Sequence, residues 1–99
     1  MITIRENSFF SIKYCRSKNR IYACAKGEWQ ENNIADQFFA DQKKALQMAA
    51  PNFTYLIDIS EMKAIPDFLV AKLMNTQNDV MKHDVAFVAE IIPESVIAT

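Results

Sequence analysis

The chain has 99 residues, of which 51 % are hydrophobic and 23 % charged, with a formal net charge of −1. One domain spanning residues 1–99 is expected at this length, burying somewhat over ~60 % of its unfolded surface. That composition excludes general disorder, and eleven scattered Lys and Arg, with Lys43-Lys44 the only adjacent pair, make no basic stripe for nucleic acid.

The first residues, MITIREN, carry no apolar segment behind a basic start and are not read as a secretory signal. No apolar run approaches the roughly 18 residues of a transmembrane span. A soluble, cytoplasmic protein without membrane contact is therefore expected. Cys15 and Cys24 are too few for a disulfide framework, and free thiols are expected. The single glycine, Gly27, rules out P-loop and dinucleotide fingerprints, whose loops need several glycines to bring backbone N–H groups to phosphate.

Phe9 to Arg16 (FFSIKYCR) and Arg20 to Lys26 (RIYACAK) are rich in β-formers and separated by Ser17-Lys18-Asn19, which predicts a hairpin. A two-residue turn at Lys18-Asn19 pairs residue i with residue 37 − i. Phe10, Ile12 and Tyr14 then share an apolar face with Ile21, Ala23 and Ala25. Lys13 and Cys15 share the mixed face with Tyr22 and Cys24, the two cysteines offset diagonally. A redox or metal role for them lacks further ligands, because His83, the only histidine, is distant in sequence.

After Trp29, a helix is predicted from Asn32 or Asn33 to Pro51-Asn52, with Ile34, Phe38, Phe39, Leu46 and Ala49 inward and Asp36, Gln37, Lys43, Lys44 and Gln47 outward. Phe53 to Ile59 (FTYLIDI) reads as a central strand covered on both faces. Pro66 to Lys82 reads as a second helix, with Leu69, Val70, Leu73, Met74, Gln77, Val80 and Met81 inward. Val85 to Ile92 (VAFVAEII) is the last strand. The expected class is α/β: a mixed four-stranded sheet in the order ββαβαβ, with helices packed mainly on one face.

That order, with IYACAKGEW at 21–29, NFTYLIDISEM at 52–62 and VAFVAEIIPESV at 85–96, resembles the STAS-like domains related to bacterial anti-sigma-factor antagonists, and more narrowly their small uncharacterised bacterial branch. The resemblance implies a module that binds a regulatory protein partner. It also implies a contact loop after the central strand, where the family carries a phosphoacceptor serine at the start of the next helix. Pro66-Asp67-Phe68-Leu69 falls there in this chain, so Asp67 stands at the phosphoacceptor position and the hydroxyl is absent. Relatives usually continue past the last strand. A chain stopping at Thr99 is expected to leave apolar surface exposed and to form a homodimer.

Asp58, Glu61 and Asp67 can be drawn as a carboxylate cluster, but Pro66 suits a first helical position and Asp67 a first turn, where the helix dipole favours an acid. No nucleophile can be tied to His83, so no catalytic residue, metal or cofactor is expected, and the chain is read as non-enzymatic. The expected partner-binding loop is Ser60, Glu61, Asp67 and Phe68, with Phe68 as an aromatic anchor. The alternative is a small apolar-ligand or lipid carrier with a pocket between helix and sheet, lined by Trp29, Phe38, Phe39 and Met74.

Overall fold

The computed structural model describes residues 1–29, 32–64 and 67–91; for residues 32, 64, 68–70 and 73–77 it describes the backbone alone. Seven elements follow one another: β1 (Ile2–Glu6), β2 (Phe10–Cys15), β3 (Arg20–Glu28), α1 (Asn32–Met48), β4 (Phe53–Ala64), α2 (Asp67–Lys82) and β5 (Val85–Ile91). The strands form one sheet in the order β1-β2-β3-β4-β5, antiparallel from β1 to β3 and parallel from β3 to β5.

The expected four-stranded sheet of ββαβαβ order is thus corrected, among the described residues, to five strands in the order βββαβαβ, with two helices. The additional strand is β1, which pairs with the outer edge of β2 through Ile2↔Tyr14, Thr3↔Lys13, Arg5↔Ile12 and Glu6↔Ser11, with Ile4 set apart by an irregularity. Five residues ending in Arg5-Glu6 carry only a brief alternation, too weak to stand out from a solvated terminus.

The hairpin faces agree with the alternation, but the register does not follow 37 − i. Phe10 pairs with Ala25 and Cys15 with Arg20, leaving a loop of Arg16, Ser17, Lys18 and Asn19. Asn19 closes that loop in the left-handed region (φ 49), which Asn tolerates better than most residues. Its N–H donates to the Arg16 carbonyl, and its own carbonyl accepts from Thr54 N–H at the start of β4. The Asn19 amide oxygen accepts from the Tyr14 hydroxyl at 2.7 Å and from Ala50 N–H at 3.0 Å. Its amide nitrogen donates to the carbonyls of Ala50 and Pro51. One turn residue therefore ties the hairpin to the junction between α1 and β4.

Phe10, Ile12, Tyr14, Ile21, Ala23, Ala25, Phe53 and Tyr55 line one face of the sheet and are buried. α1 lies across β1, β2 and β3 on that face, and α2 packs beside β5 and α1. The inward side of α1 carries Ala35, Phe38, Ala45 and Leu46, and it also carries Asp41 and Gln42, both buried. Asp41 lies three residues from Phe38 and Gln42 four, so helical spacing puts both beside that ring. Asp41 is held by Arg5 of β1 (Nε to Oδ2, 2.8 Å), and Gln42 accepts from the Tyr55 hydroxyl at 2.5 Å. In α2, Val80 is buried as the spacing predicts, whereas Met81 is exposed.

β4 is longer than predicted. It continues through Ser60, Glu61, Met62 and Lys63, pairing with β3 as Lys26↔Glu61 and Gly27↔Met62. Irregularities between Cys24 and Lys26, and between Gly27 and Glu28, let the polar residues of this extension stay exposed while Met62 is buried. Among the described residues, the double coverage expected for this strand is not seen. Leu56 and Asp58, on its other face, are only half-buried.

Gly27 adopts φ +77, a conformation that favours glycine. Immediately beyond, Trp29 turns into the core, where its indole N–H is shared between the carbonyls of Phe9 and Lys26 at 3.2 Å each. Phe10, Trp29 and Phe38 pack edge-on or tilted with ring centroids 5.2–5.9 Å apart, the arrangement that adds ~0.5–1.5 kcal/mol per pair beyond burial.

Candidate functional site

The face of the sheet opposite α1 carries no helix among the described residues, and strand register arranges it in rows. Cys15, Arg20, Thr54 and Phe87 form the first row across β2, β3, β4 and β5. Lys13, Tyr22, Leu56 and Ala89 form the second. Ser11, Cys24, Asp58 and Ile91 form the third. These residues are half-buried or exposed, in contrast to the buried residues behind them.

The first two rows are ordered by polar contacts and leave an apolar hollow. Arg20 Nε donates to Thr54 Oγ1 at 2.9 Å, and its guanidinium carbon lies 6.0 Å from the Tyr22 ring centroid, at the outer limit of a cation–π contact. Beside them Arg20, Thr54, Leu56, Phe87 and Ala89 line a shallow concavity of about 230 Å³. Phe87 is 62 % exposed and Ile91 45 % exposed, high for large apolar side chains.

The two cysteines are free, half-buried and set four residues apart along the ladder, because Cys15 stands opposite Arg20 and Cys24 opposite Ser11. The register shift moves them away from the diagonal neighbours expected from the sequence. Their environments differ in sign. A hydrogen bond with Ser17 (Sγ to Oγ 3.3 Å), followed by the Lys18 backbone, lowers the Cys15 pKa. Burial, then Asp58 and Glu61, raises that of Cys24. Among the described residues, no three His, Cys, Asp or Glu side chains stand together as a metal site.

The expected partner loop is distributed over two elements. Ser60 and Glu61 are exposed residues of β4, and Asp67 is the exposed first residue of α2. Ser60 donates both its N–H (2.9 Å) and its hydroxyl (2.6 Å) to Asp58 Oδ1, which links this segment to the third row of the sheet face. Phe68 lies in the first turn of α2, and its side chain is outside those described, as is that of Met74. Pro66 lies outside the described residues altogether.

The expected ligand lining is not one surface. Trp29 and Phe38 are buried in the solid aromatic core. Phe39 packs on Phe38 and borders a groove between α1 and α2, with Leu46, Asp79 and Lys82. A separate cavity of about 290 Å³ lies between the helices and β4–β5, lined by Gln42, Tyr55, Ile57, Val80, Met81, Val88 and Glu90. Tyr55 lies fully buried at this cavity, and burial, with Glu90 nearby, holds its hydroxyl protonated well above the ordinary tyrosine range. The sequence reading expected a pocket between helix and sheet but named none of these seven residues as its lining, and of the sheet face it saw only the hairpin's part. Both follow from which strands are neighbours, and only the alternation of Arg20, Tyr22 and Cys24 hinted at a second surface.

No family model, curated protein or solved structure matches the chain. Among the described residues, no helix is long and apolar enough to cross a membrane.

Proposed function

We propose that this chain is a non-enzymatic protein-interaction module of a bacterial regulatory pathway, acting in the cytoplasm, STAS-like but without the phosphoacceptor serine. The observation that carries this reading is the uncovered sheet face, which presents Arg20, Leu56 and Phe87 around one shallow hollow, with Tyr22 paired beside Leu56 on the same face. Tyr, Phe and Arg are the residues enriched at protein interfaces, and a shallow apolar depression flanked by such groups suits a protein side chain better than an enclosed small molecule. Ser60, in the loop implicated by the resemblance, adjoins this face through its bond to Asp58. Face and loop together form the proposed contact surface.

The test is affinity capture from an extract of the source bacterium, followed by binding measurements with the recovered partner. Combined Arg20→Ala and Tyr22→Ala is expected to weaken binding at least about tenfold, as for interface anchors generally. Asp67→Lys with Phe68→Ala should weaken it as well. Full binding by both double variants, with unchanged melting temperatures, refutes the reading.

The 290 Å³ cavity favours a second reading, a small apolar-ligand carrier, with Val80 and Val88 among its walls and Tyr55 and Glu90 as polar groups. Its volume sits at the lower end of ligand pockets, which run from ~300 Å³ upward. Native mass spectrometry of the purified protein, beside a Val80→Trp variant that fills the cavity, decides it. A co-purifying mass lost in the variant supports the carrier, and a bare protein mass in both removes it.

A further inference from the structure

The sheet has two edges, and they differ. β1 is protected in the ways edge strands usually are: its ladder is broken by an irregularity between Thr3 and Arg5, and it ends in the charged pair Arg5-Glu6. Glu6 is further tied to Lys13 at 2.9 Å. β5, at the other end, has one charge in seven residues and no proline. No strand pairs with its outer edge among the described residues. It also carries the two large apolar side chains, Phe87 and Ile91, that stand most exposed on the uncovered face.

We infer that a second copy of this chain pairs with the outer edge of β5, antiparallel, about a two-fold axis at Ala89. Self-pairing at this edge shares Phe87 with the proposed contact surface but needs neither Arg20 nor Tyr22, and it is read on the chain without partner, so either function can fail alone. The commitment to this occupant and register comes from self-complementarity. β5 pairs regularly with β4 from Phe87 to Ile91, after an irregularity that sets Ala86 apart. Ala89 is the midpoint of the regular stretch. An axis there sets Phe87 of one copy opposite Ile91 of the other, twice, on the same face. Aromatic and β-branched residues directly opposite one another are favourable cross-strand partners.

The same register places Glu90 opposite Val88 and keeps the two carboxylates off each other. Moving the axis by one residue to Glu90 sets like charges face to face, which is unfavourable. Moving it to Val88 sets Phe87 opposite Ala89 and loses the aromatic match. Ala89 meets only its own copy at the axis, where a small side chain lets the backbones approach. The resulting dimer is a continuous ten-stranded sheet with both uncovered faces on one side. It doubles the contact surface of the proposed function without covering Arg20 or Tyr22.

Sedimentation velocity with the full chain, from low micromolar to about 100 μM, where an interface of micromolar affinity is saturated, tests this directly. The wild type is expected to sediment as a dimer at the upper end. Phe87→Lys and Ile91→Glu, each alone, should raise the dimer dissociation constant by roughly thirtyfold or more, the loss associated with an interface hot spot. Both positions are exposed, so folding is retained, and thermal melts of the single variants at monomeric concentration check this.

The double variant Phe87→Lys with Ile91→Glu is the decisive arm. The proposed register brings opposite charges together at both sites, and dimerisation is expected to recover. A wild type that remains monomeric at the upper concentration overturns the inference. So does a dimer indifferent to the single substitutions, or a double variant no more associated than its parents.

Discussion

Replacing Asn19 with alanine tests how the fold is held at the junction from which β4 starts. Three consequences follow from the structure. The Tyr14 hydroxyl, on a residue only 2 % exposed, loses its acceptor, which costs about 1 kcal/mol. The bonds to Ala50 and Pro51 are exposed and their backbone groups can return to water, so together they contribute at the low end, about 0.5 kcal/mol. Alanine must also hold the left-handed conformation at φ 49, which costs about 1 kcal/mol more. The expected loss is therefore about 2–3 kcal/mol, a large part of the ~5–15 kcal/mol that stabilises a typical domain.

Urea unfolding followed by tyrosine and tryptophan fluorescence measures that loss as a shift in midpoint at constant slope. The melting temperature should fall by roughly 10–20 °C at ~4–8 °C per kcal/mol. Two companion variants separate the causes. Asn19→Asp keeps both accepting interactions and should lose least, whereas Asn19→Gly keeps the backbone conformation alone and should fall between aspartate and alanine. An alanine variant within about 0.5 kcal/mol of wild type would refute the reasoning, since that is the ordinary scatter of surface substitutions. A glycine variant as stable as wild type would show that the side-chain bonds contribute nothing.

Three further expectations come from single sites. A Cβ at Gly27 meets nothing closer than the Phe9 ring at 4.0 Å, so Gly27→Ala should cost about 1 kcal/mol through φ alone, and Gly27→Asn less, as read by urea unfolding. The Tyr55 hydroxyl keeps its proton in the folded state above the ordinary range, so above pH ~10 the unfolded chain binds fewer protons and stability falls as pH rises. Tyr55→Phe should remove that part of the alkaline loss in melts between neutral and alkaline pH, while costing about 1–3 kcal/mol at neutral pH by leaving the Gln42 carbonyl without its donor. Cys15 should alkylate faster than Cys24 in iodoacetamide labelling read by peptide mass spectrometry, because Ser17 favours its thiolate while burial and two acids oppose that of Cys24. Ser17→Ala should slow Cys15 and leave Cys24 unchanged.

What the sequence made legible is what alternation and helical spacing carry. The faces of β2 and β3 could be read because Phe10, Ile12, Tyr14, Ile21, Ala23 and Ala25 recur at period two. Their register could not, because it depends on the loop, and a four-residue turn closed by Asn19 shifts every pair while leaving the faces intact. The sequence ends β4 at Ile59 because Ser60, Glu61 and Lys63 are residues typical of loops. The bulged pairing with β3 that accommodates them is a property of two strands together. The core aromatics were visible, yet nothing in one segment says whether Trp29 and Phe38 line a cavity or fill a core. The candidate contact surface was least legible of all. Arg20, Leu56 and Phe87 come from three separate strands, and only parallel pairing across β3, β4 and β5 brings them into one hollow.

Hydroxyl-radical footprinting of the chain, free and bound to its captured partner, tests the central claim most directly. Tyr22, Leu56 and Phe87 report the uncovered sheet face, and Met81, exposed on α2, reports a surface outside it. Bound partner is expected to reduce oxidation of the three face residues several-fold and to leave Met81 unchanged. Protection of Met81 with the face residues still oxidised at the free rate would contradict the account.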